Sequence, residues 1–233
     1  MREVFHQALE DIQDRLVEIA EMVTVAIDKA TTAFETSDVA LAEEVIADDS
    51  KIDDLAVSVD ELAIDTLAIQ QPVARDLRII VSALRTSASL ERMGDLAEHI
   101  AQLARSRFPE RAIPKGLKGT FVKMGKLDVS VARTLVDLLR TQDLRYAAEI
   151  RDSDDEIDEL HATVYEKVLS EAFSGDASHV VDAALASRYH ERFGDHAVSI
   201  AKKMVYLSTG DWTGQSDPEA DVEIVDGPAG ADD

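Results

Sequence analysis

The sequence predicts an all-α protein made of two pseudo-symmetric three-helix bundles, with six long helices in total. Three observations lead to this prediction. Apolar residues recur at helical spacing through long stretches that contain no proline. The breaks between these stretches come in the same order in both halves of the chain. A motif, Glu-Arg-x-Gly-Asp, occurs at residues 91–95 and again one hundred positions later, at 191–195.

The first half contains three predicted helices. In the first of them, apolar residues are spaced by three to five positions. Ser37 or Asp38 is suited to cap the second helix. Pro72 fits the first turn of the third helix. The predicted helices cover about residues 2–34, 39–69 and 72–107.

The second half repeats this order after a break rich in proline and glycine. Thr141-Gln142-Asp143 repeats the polar break at residues 36–38, and Ser174-Gly175-Asp176 is expected to end the fifth helix and cap the sixth. We expect helix four to end near residue 139, helix five near 173 and helix six near 207. The predicted domains are a first bundle at 1–108, a linker at 109–117, where the bundles meet, and a second bundle at 118–208.

The remaining residues, 209–233, are predicted to be a disordered acidic tail. After Gly210 the chain carries eight acidic residues and neither lysine nor arginine. Such a segment has too little apolar surface to offset the entropy lost on ordering. Trp212, the single tryptophan of the chain, is the residue best suited to anchor the start of this segment.

Composition excludes several classes of function. The formal net charge is -23, which argues against direct nucleic-acid binding because such binding needs a basic surface. The absence of cysteine excludes disulfides, thiolate metal sites and a cysteine nucleophile. Residues 1–6 do not resemble a signal peptide, and no apolar run approaches the ~18 residues of a membrane span. These features predict a cytoplasmic protein without direct membrane insertion.

Paired carboxylates are the strongest candidates for a functional site. In a helix, residues at i and i+4 lie on one face, so each pair places two like charges together. Such a pair repels unless a cation compensates, and oxygen-only ligand sets suit Mg²⁺, Mn²⁺, Ca²⁺ or iron. If neighbouring helices are antiparallel, an Asp/Asp pair and a Glu/Asp pair converge in each half. The candidate metal ligands are Asp49, Asp53, Glu91 and Asp95 in the first half and Asp154, Asp158, Glu191 and Asp195 in the second.

The same carboxylates also fit a simpler interpretation. About one residue in five is acidic, and in this interpretation the carboxylates form a solvated acidic face in which Arg92 and Arg192 neutralise their neighbours. At about 100° per residue, Glu91 and Asp95 point away from the apolar face of their helix, so any metal lies at the surface or in an interface. His99 continues the stack of Glu91 and Asp95, although a histidine without a metal role is the simpler interpretation.

Taken in order, these motifs resemble the PhoU family of phosphate-transport regulators. The resemblance rests on Asp-x-x-Ile-Asp, on Pro72-Val73-Ala74-Arg75-Asp76-Leu77-Arg78, and on Glu-Arg-x-Gly-Asp-x-Ala-x-x-Ile-Ala, and it covers roughly residues 2–208. It implies a cytoplasmic, non-enzymatic negative regulator of phosphate uptake. The implied partners are the ATPase subunit of the phosphate-specific ABC transporter, a sensor histidine kinase and a second copy of the chain. The implied metal is iron, with zinc, manganese or magnesium as alternatives, on the eight carboxylates named above.

The second half departs from the family pattern, because Gly175-Asp176-Ala177-Ser178-His179 stands where the first half has Pro72 to Arg78. The two metal sites are therefore expected to differ, and Arg75, Asp76 and Arg78 to serve either a contact specific to the first half or a local ion pair. Two other functions stay open. One is a carboxylate-bridged di-iron enzyme, for which Glu3-x-x-His6 and Asp158-x-x-His161 are the nearest motifs. The other is a helical scaffold that binds no metal.

Overall fold

A computed structural model describes residues 2–210, and these residues form six α-helices and no strand. The predicted all-α fold and its repeated helix order are confirmed, whereas residues 211–233 of the predicted tail lie outside the described part. None of the described helices is long and apolar enough to cross a membrane. The helices are α1 (Arg2–Thr36), α2 (Val39–Gln70), α3 (Arg75–Arg107), α4 (Lys118–Thr141), α5 (Arg145–Val168) and α6 (Ala177–Thr209).

Two aspartates cap helices where the sequence indicates it. The Asp38 carboxylate accepts a hydrogen bond from the Leu41 backbone N–H at 3.1 Å, and Asp176 caps α6 in the same way. The prediction for Pro72 is wrong, because α3 begins three residues later. The backbone reverses between Gln71 and Ala74, which have φ angles of 46° and 50°. This reversal occupies the residues that were expected to form the first helical turn.

The predicted end of helix five is also wrong, because α5 ends at Val168 and not near residue 173. The chain continues in tight turns, in which the Phe173 N–H donates to the carbonyl of Ser170 at 3.0 Å. Phe173 packs against the core from this loop, and its ring fills the space where Gly175 has no side chain. The aromatic residue thus contributes to the core without extending the helix.

The two halves share one continuous apolar core. The sequence places their contact near residues 109–118, but it runs along whole helices, with α1 packed against α4 and α3 against α6. Phe34 and Phe121 meet edge to face across the first of these contacts, with ring centroids 5.4 Å apart. The expected meeting point is wrong because apolar residues on α1 and α3 face the second half as well as their own bundle.

Helices α3 and α6 pack antiparallel at the centre of the molecule. His99 stacks on Tyr189 with ring centroids 5.1 Å apart, and the Lys203 Nζ lies 3.3 Å from the Ser89 Oγ. Arg107, at the end of α3, forms an ion pair with Asp182, near the start of α6. The end of α6 therefore lies beside the start of α3.

Candidate metal centres

The first carboxylate cluster lies between α2 and α3. One carboxylate oxygen from each of Asp49, Asp53 and Asp95 lies within 4.8 Å of the other two. Glu91 and Glu98 are also close enough to raise the pKa of Asp49 electrostatically. We call these five residues cluster one. The predicted approach of Asp49 and Asp53 to the Glu91/Asp95 pair is thus present in the fold.

The second cluster lies at the equivalent place between α5 and α6. Asp158, Asp195 and Glu191 all raise the pKa of Asp154 electrostatically, so the four predicted carboxylates are in the same region of the structure. His161 influences the pKa of both Asp158 and Glu191 and so belongs to the same group. These five residues form cluster two. Among the described residues, Asp49, Asp53 and Asp95 are the predicted ligands whose carboxylate oxygens lie within 4.8 Å of one another. The other five predicted ligands are near their partners only at the range of electrostatic influence.

Local helix geometry directs these carboxylates into the groove between two helices. Asp49 precedes the buried Ile52 by three positions, and Asp154 precedes the buried Ile157 by three. Residues three apart share a helix face, so burial of the isoleucine turns the aspartate toward the neighbouring helix. The carboxylates thus lie at the outer edge of the core and remain half-exposed.

The glycine of each repeated motif makes room for the opposing aspartate. A Cβ atom added at Gly94 would lie 3.2 Å from the Asp49 Oδ1 and 3.1 Å from the Ile52 Cδ1. One added at Gly194 would overlap the Asp154 Oδ1. Glycine inside a helix costs about 1 kcal/mol relative to alanine. The chain accepts this cost twice because the helices approach closely where the carboxylates meet.

Alanine substitutions at these glycines are expected to distinguish the steric effect of the close approach from the effect of helix propensity on stability. Gly194→Ala should displace the Asp154 carboxylate and lower the free energy of unfolding, whereas Gly94→Ala should have a smaller effect because its contacts are longer. Gly119→Ala is the control, since a Cβ there meets no atom within 4 Å. It should stabilise by up to about 1 kcal/mol. Urea unfolding measures all three, and equal stabilisation by Gly194→Ala and Gly119→Ala would contradict the steric explanation.

Burial and mutual repulsion shift the acidity of one aspartate in each cluster. Burial, followed by repulsion from neighbouring carboxylates, raises the pKa of Asp49 to about 7. The same causes raise the pKa of Asp154 to about 7. Both groups therefore keep their proton up to about pH 7 when no cation is bound, well above the range of an ordinary aspartate.

These shifts predict how pH affects the metal-free protein. The folded pKa of each aspartate lies above the ordinary value of 3.8, so the folded state binds more protons between the two values. This contribution to stability is fully present below about pH 4 and is lost as pH rises through about 7. Asp49→Asn combined with Asp154→Asn should remove this pH dependence and stabilise the chelator-treated protein at pH 8. Asp65→Asn, on the exposed side of α2, should leave the pH dependence unchanged.

The expected pairing of arginines with the motifs holds in one half only. The Arg92 Nη1 lies 2.6 Å from the Asp95 Oδ2. Among the described residues Arg192 forms no ion pair with Glu191 or Asp195, whereas Arg188 pairs with Glu191. Arg188 precedes Glu191 by one helical turn, which brings its guanidinium to the carboxylate as effectively as a following residue would.

Glu98 was not among the predicted ligands, and His161 was predicted only as part of a di-iron motif. Glu98 follows Asp95 by three positions, so the helical spacing that identified Glu91 and Asp95 extends to it. His161 follows Asp158 by three positions, and its Nδ1 lies 3.1 Å from the Ser187 Oγ. Each residue lacks an equivalent in the other half, where the chain has Val198 and Ala56. The two clusters therefore differ in composition.

Two orphaned oxygens indicate that cluster two fits a cation. The Asp154 Oδ1 and the Glu191 Oε2 are buried and have no hydrogen-bond partner among the described residues. Buried carboxylate oxygens are normally hydrogen-bonded or bound to a cation. Oxygen ligands of this kind suit a hard or borderline cation such as Mg²⁺, Mn²⁺ or iron.

Comparison with known proteins connects these features to a family. The PhoU domain model matches residues 16–104 and again residues 121–204. The chain is 38% identical over 210 residues to "Phosphate-specific transport system accessory protein PhoU homolog 2" of Mycobacterium tuberculosis, covering 90% of this chain and 99% of that protein. It is 37% identical over 210 residues to PhoU homolog 1 of Mycobacterium leprae, covering 90% and 95%.

A solved structure agrees with this assignment. The crystal structure of PhoU from Pseudomonas aeruginosa matches with a TM-score of 0.81 and 27% identity, covering 89% of this chain and all of that one. The two matched segments correspond to α1–α3 and α4–α6, the halves that carry the two clusters. The chain therefore belongs to the PhoU family and contains the PhoU domain twice.

Proposed function

We propose that this protein regulates phosphate uptake as a cytoplasmic metal-binding adaptor. It would connect the ATPase subunit of a phosphate-specific ABC transporter with a sensor histidine kinase and act as a homodimer. When phosphate is plentiful it would repress both transport and the phosphate-starvation response. The proposal rests on membership of the family, whose curated relatives are named accessory proteins of phosphate-specific transport systems.

The position of the clusters is the observation that carries the metal-binding part of the proposal. Both lie in grooves at the edge of the core, where Asp53 of cluster one and Asp158 of cluster two are exposed to solvent. An ion there is accessible to a partner protein and can neutralise the helix surface that the partner contacts. We expect bound metal to favour partner binding by removing the repulsion among these carboxylates.

The di-iron enzyme is the weaker alternative. Such enzymes place Glu-x-x-His motifs from two helices into the interior of one bundle. Glu3 and His6 are exposed at the start of α1, and neither contributes to a cluster. His161 does lie in cluster two, but the first half has no histidine at the equivalent position. The names of the relatives, accessory and regulatory proteins, also favour a non-enzymatic role.

A capture experiment tests the proposed role. Immobilised protein should retain the transporter ATPase subunit and the sensor kinase from detergent-solubilised membranes, and a chelator should weaken this capture. Asp95→Asn with Asp195→Asn should weaken it similarly. Asp65→Asn with Glu166→Gln, exposed carboxylates of α2 and α5 outside the clusters, should not. Absence of both partners from the captured material, together with catalytic oxidation of ferrous iron, would favour the enzyme instead.

A further inference from the structure

A cavity of about 210 Å³ opens where the end of α6 meets the start of α3. Helix α1 and the chain that joins α4 to α5 complete its walls. An apolar cavity of roughly 150 Å³ is large enough to bind benzene, so this one accommodates a large aromatic side chain. The Thr86 hydroxyl and the Gln142 amide provide acceptors for a polar N–H. Apolar residues that line the cavity include Leu9, Ile12, Leu16, Ile79, Leu144 and Leu207.

The chain leaves the described part of the molecule at the edge of this cavity. Ser208 lines the cavity, and Gly210 ends α6 in the left-handed conformation, with its N–H bonded to the carbonyl of Tyr206 at 2.8 Å. Trp212 follows two residues later. Two residues span up to about 7 Å of extended chain, which is enough for the indole to reach the cavity.

The positive charge at the start of α3 complements the negative charge of residues 211–233, which follow α6. Arg75 lines the cavity, and Arg78 lies on the same helix face one turn later. Both are exposed, and neither forms an ion pair with any other residue in the range 2–210. Residues 211–233 contain eight carboxylates and no basic residue. Opposite charges that come near one another attract, most strongly at low ionic strength.

The charged residues at the two ends of the α3/α6 pair differ. At the other end, where α6 begins beside the end of α3, Asp182 is paired with Arg107. The basic segment Pro72 to Arg78 has no counterpart there. Arg75 and Arg78, which form no ion pair within residues 2–210, thus lie at the end of the molecule where the acidic segment emerges.

We propose that residues 211–233 bind to this end of their own chain, with the Trp212 indole in the cavity and the following carboxylates beside Arg75 and Arg78. The indole would be removed from water by the apolar walls, and its N–H would donate to Thr86 or Gln142. This contact gives a specific role to the arginines of the first half, and it does not depend on the proposed metal-binding function.

Tryptophan fluorescence tests the proposal directly, because Trp212 is the only tryptophan. In the full-length protein the emission should be blue-shifted and resistant to quenching by acrylamide. Ala83→Phe, which fills the cavity, should shift the emission to longer wavelength and increase quenching several-fold. Arg75→Glu with Arg78→Glu, a surface change, should act in the same direction. The matched control, Arg111→Glu with Arg151→Glu, reverses two exposed arginines elsewhere and should have no effect.

Three results would overturn the proposal. One is water-like emission in the unmodified protein. Another is protected emission that neither Ala83→Phe nor the Arg75/Arg78 substitutions change while circular dichroism shows an intact fold, since the indole would then be buried elsewhere. The third is protection that disappears on dilution, because contact would then form between two copies and not within one chain.

Discussion

Replacing Asp128 with alanine is expected to destabilise the protein by about 3–5 kcal/mol, the typical cost of removing one partner of a buried pair. Asp128 and His190 are both completely buried, and the His190 Nδ1 lies 2.5 Å from the Asp128 Oδ2. Burial raises the pKa of Asp128, while His190 opposes this shift. Without the carboxylate, the imidazole stays in the core with neither of its nitrogens hydrogen-bonded.

Two further variants identify the cause of this loss. Asp128→Leu combined with His190→Phe removes both polar groups, so it should cost much less than Asp128→Ala alone. Asp137→Ala changes an exposed aspartate of the same helix and should stay within about 0.5 kcal/mol of the unmodified protein. Urea unfolding provides the comparison. A cost below about 1 kcal/mol for Asp128→Ala would mean that the pair contributes little to stability.

Replacing Asp95 and Asp195 with asparagine is expected to remove bound metal. Each substitution keeps the side-chain shape and deletes one negative charge from a cluster. Since changes to outer residues of metal sites already lower affinity by about 10–100-fold, loss of a charged ligand should lower it at least as much. Elemental analysis of protein purified without a metal-binding tag, and calorimetric titration with Fe²⁺, Mn²⁺ and Zn²⁺, measure this loss.

The same variant should behave in the opposite way when metal is absent. Fewer like charges then face one another, so the chelator-treated variant should be more stable by a few tenths of a kcal/mol per relieved pair. In the presence of metal the unmodified protein should be the more stable of the two, because binding to the folded state alone stabilises it. Stabilisation of the variant under both conditions, with unchanged metal content, would show that the carboxylates do not hold a metal ion.

Local pattern was sufficient to predict six helices, their duplicated order and the four carboxylate pairs. The i, i+4 spacing of Glu91 and Asp95 follows from helix geometry alone, and its repetition at Glu191 and Asp195 indicates the same arrangement in the second half. The cap at Asp38 likewise depends only on neighbouring residues. The pairs of proposed ligands that lie within one helix were therefore predictable, because each pair depends only on helical spacing.

Contacts between helices could be identified only from the tertiary structure. Asp128 and His190 are 62 positions apart, and no periodicity connects them. The position of His161 in cluster two depends on how α5 packs against α6. Phe173 packs against the core from the loop that follows Val168, the last residue of α5.

The helices, and the residues that share a helix face, thus followed from the sequence pattern alone. Which faces meet became known only from the packing of the helices, including the contact of α1 with α4 and the position of the α6 end beside Arg75. The physical reason is that helical spacing is set by hydrogen bonds between residues four apart, whereas helix packing depends on how side chains from distant segments fit together. One glycine in each motif depends on both kinds of interaction, because it is unfavourable within its own helix and makes room for an aspartate of the neighbouring helix.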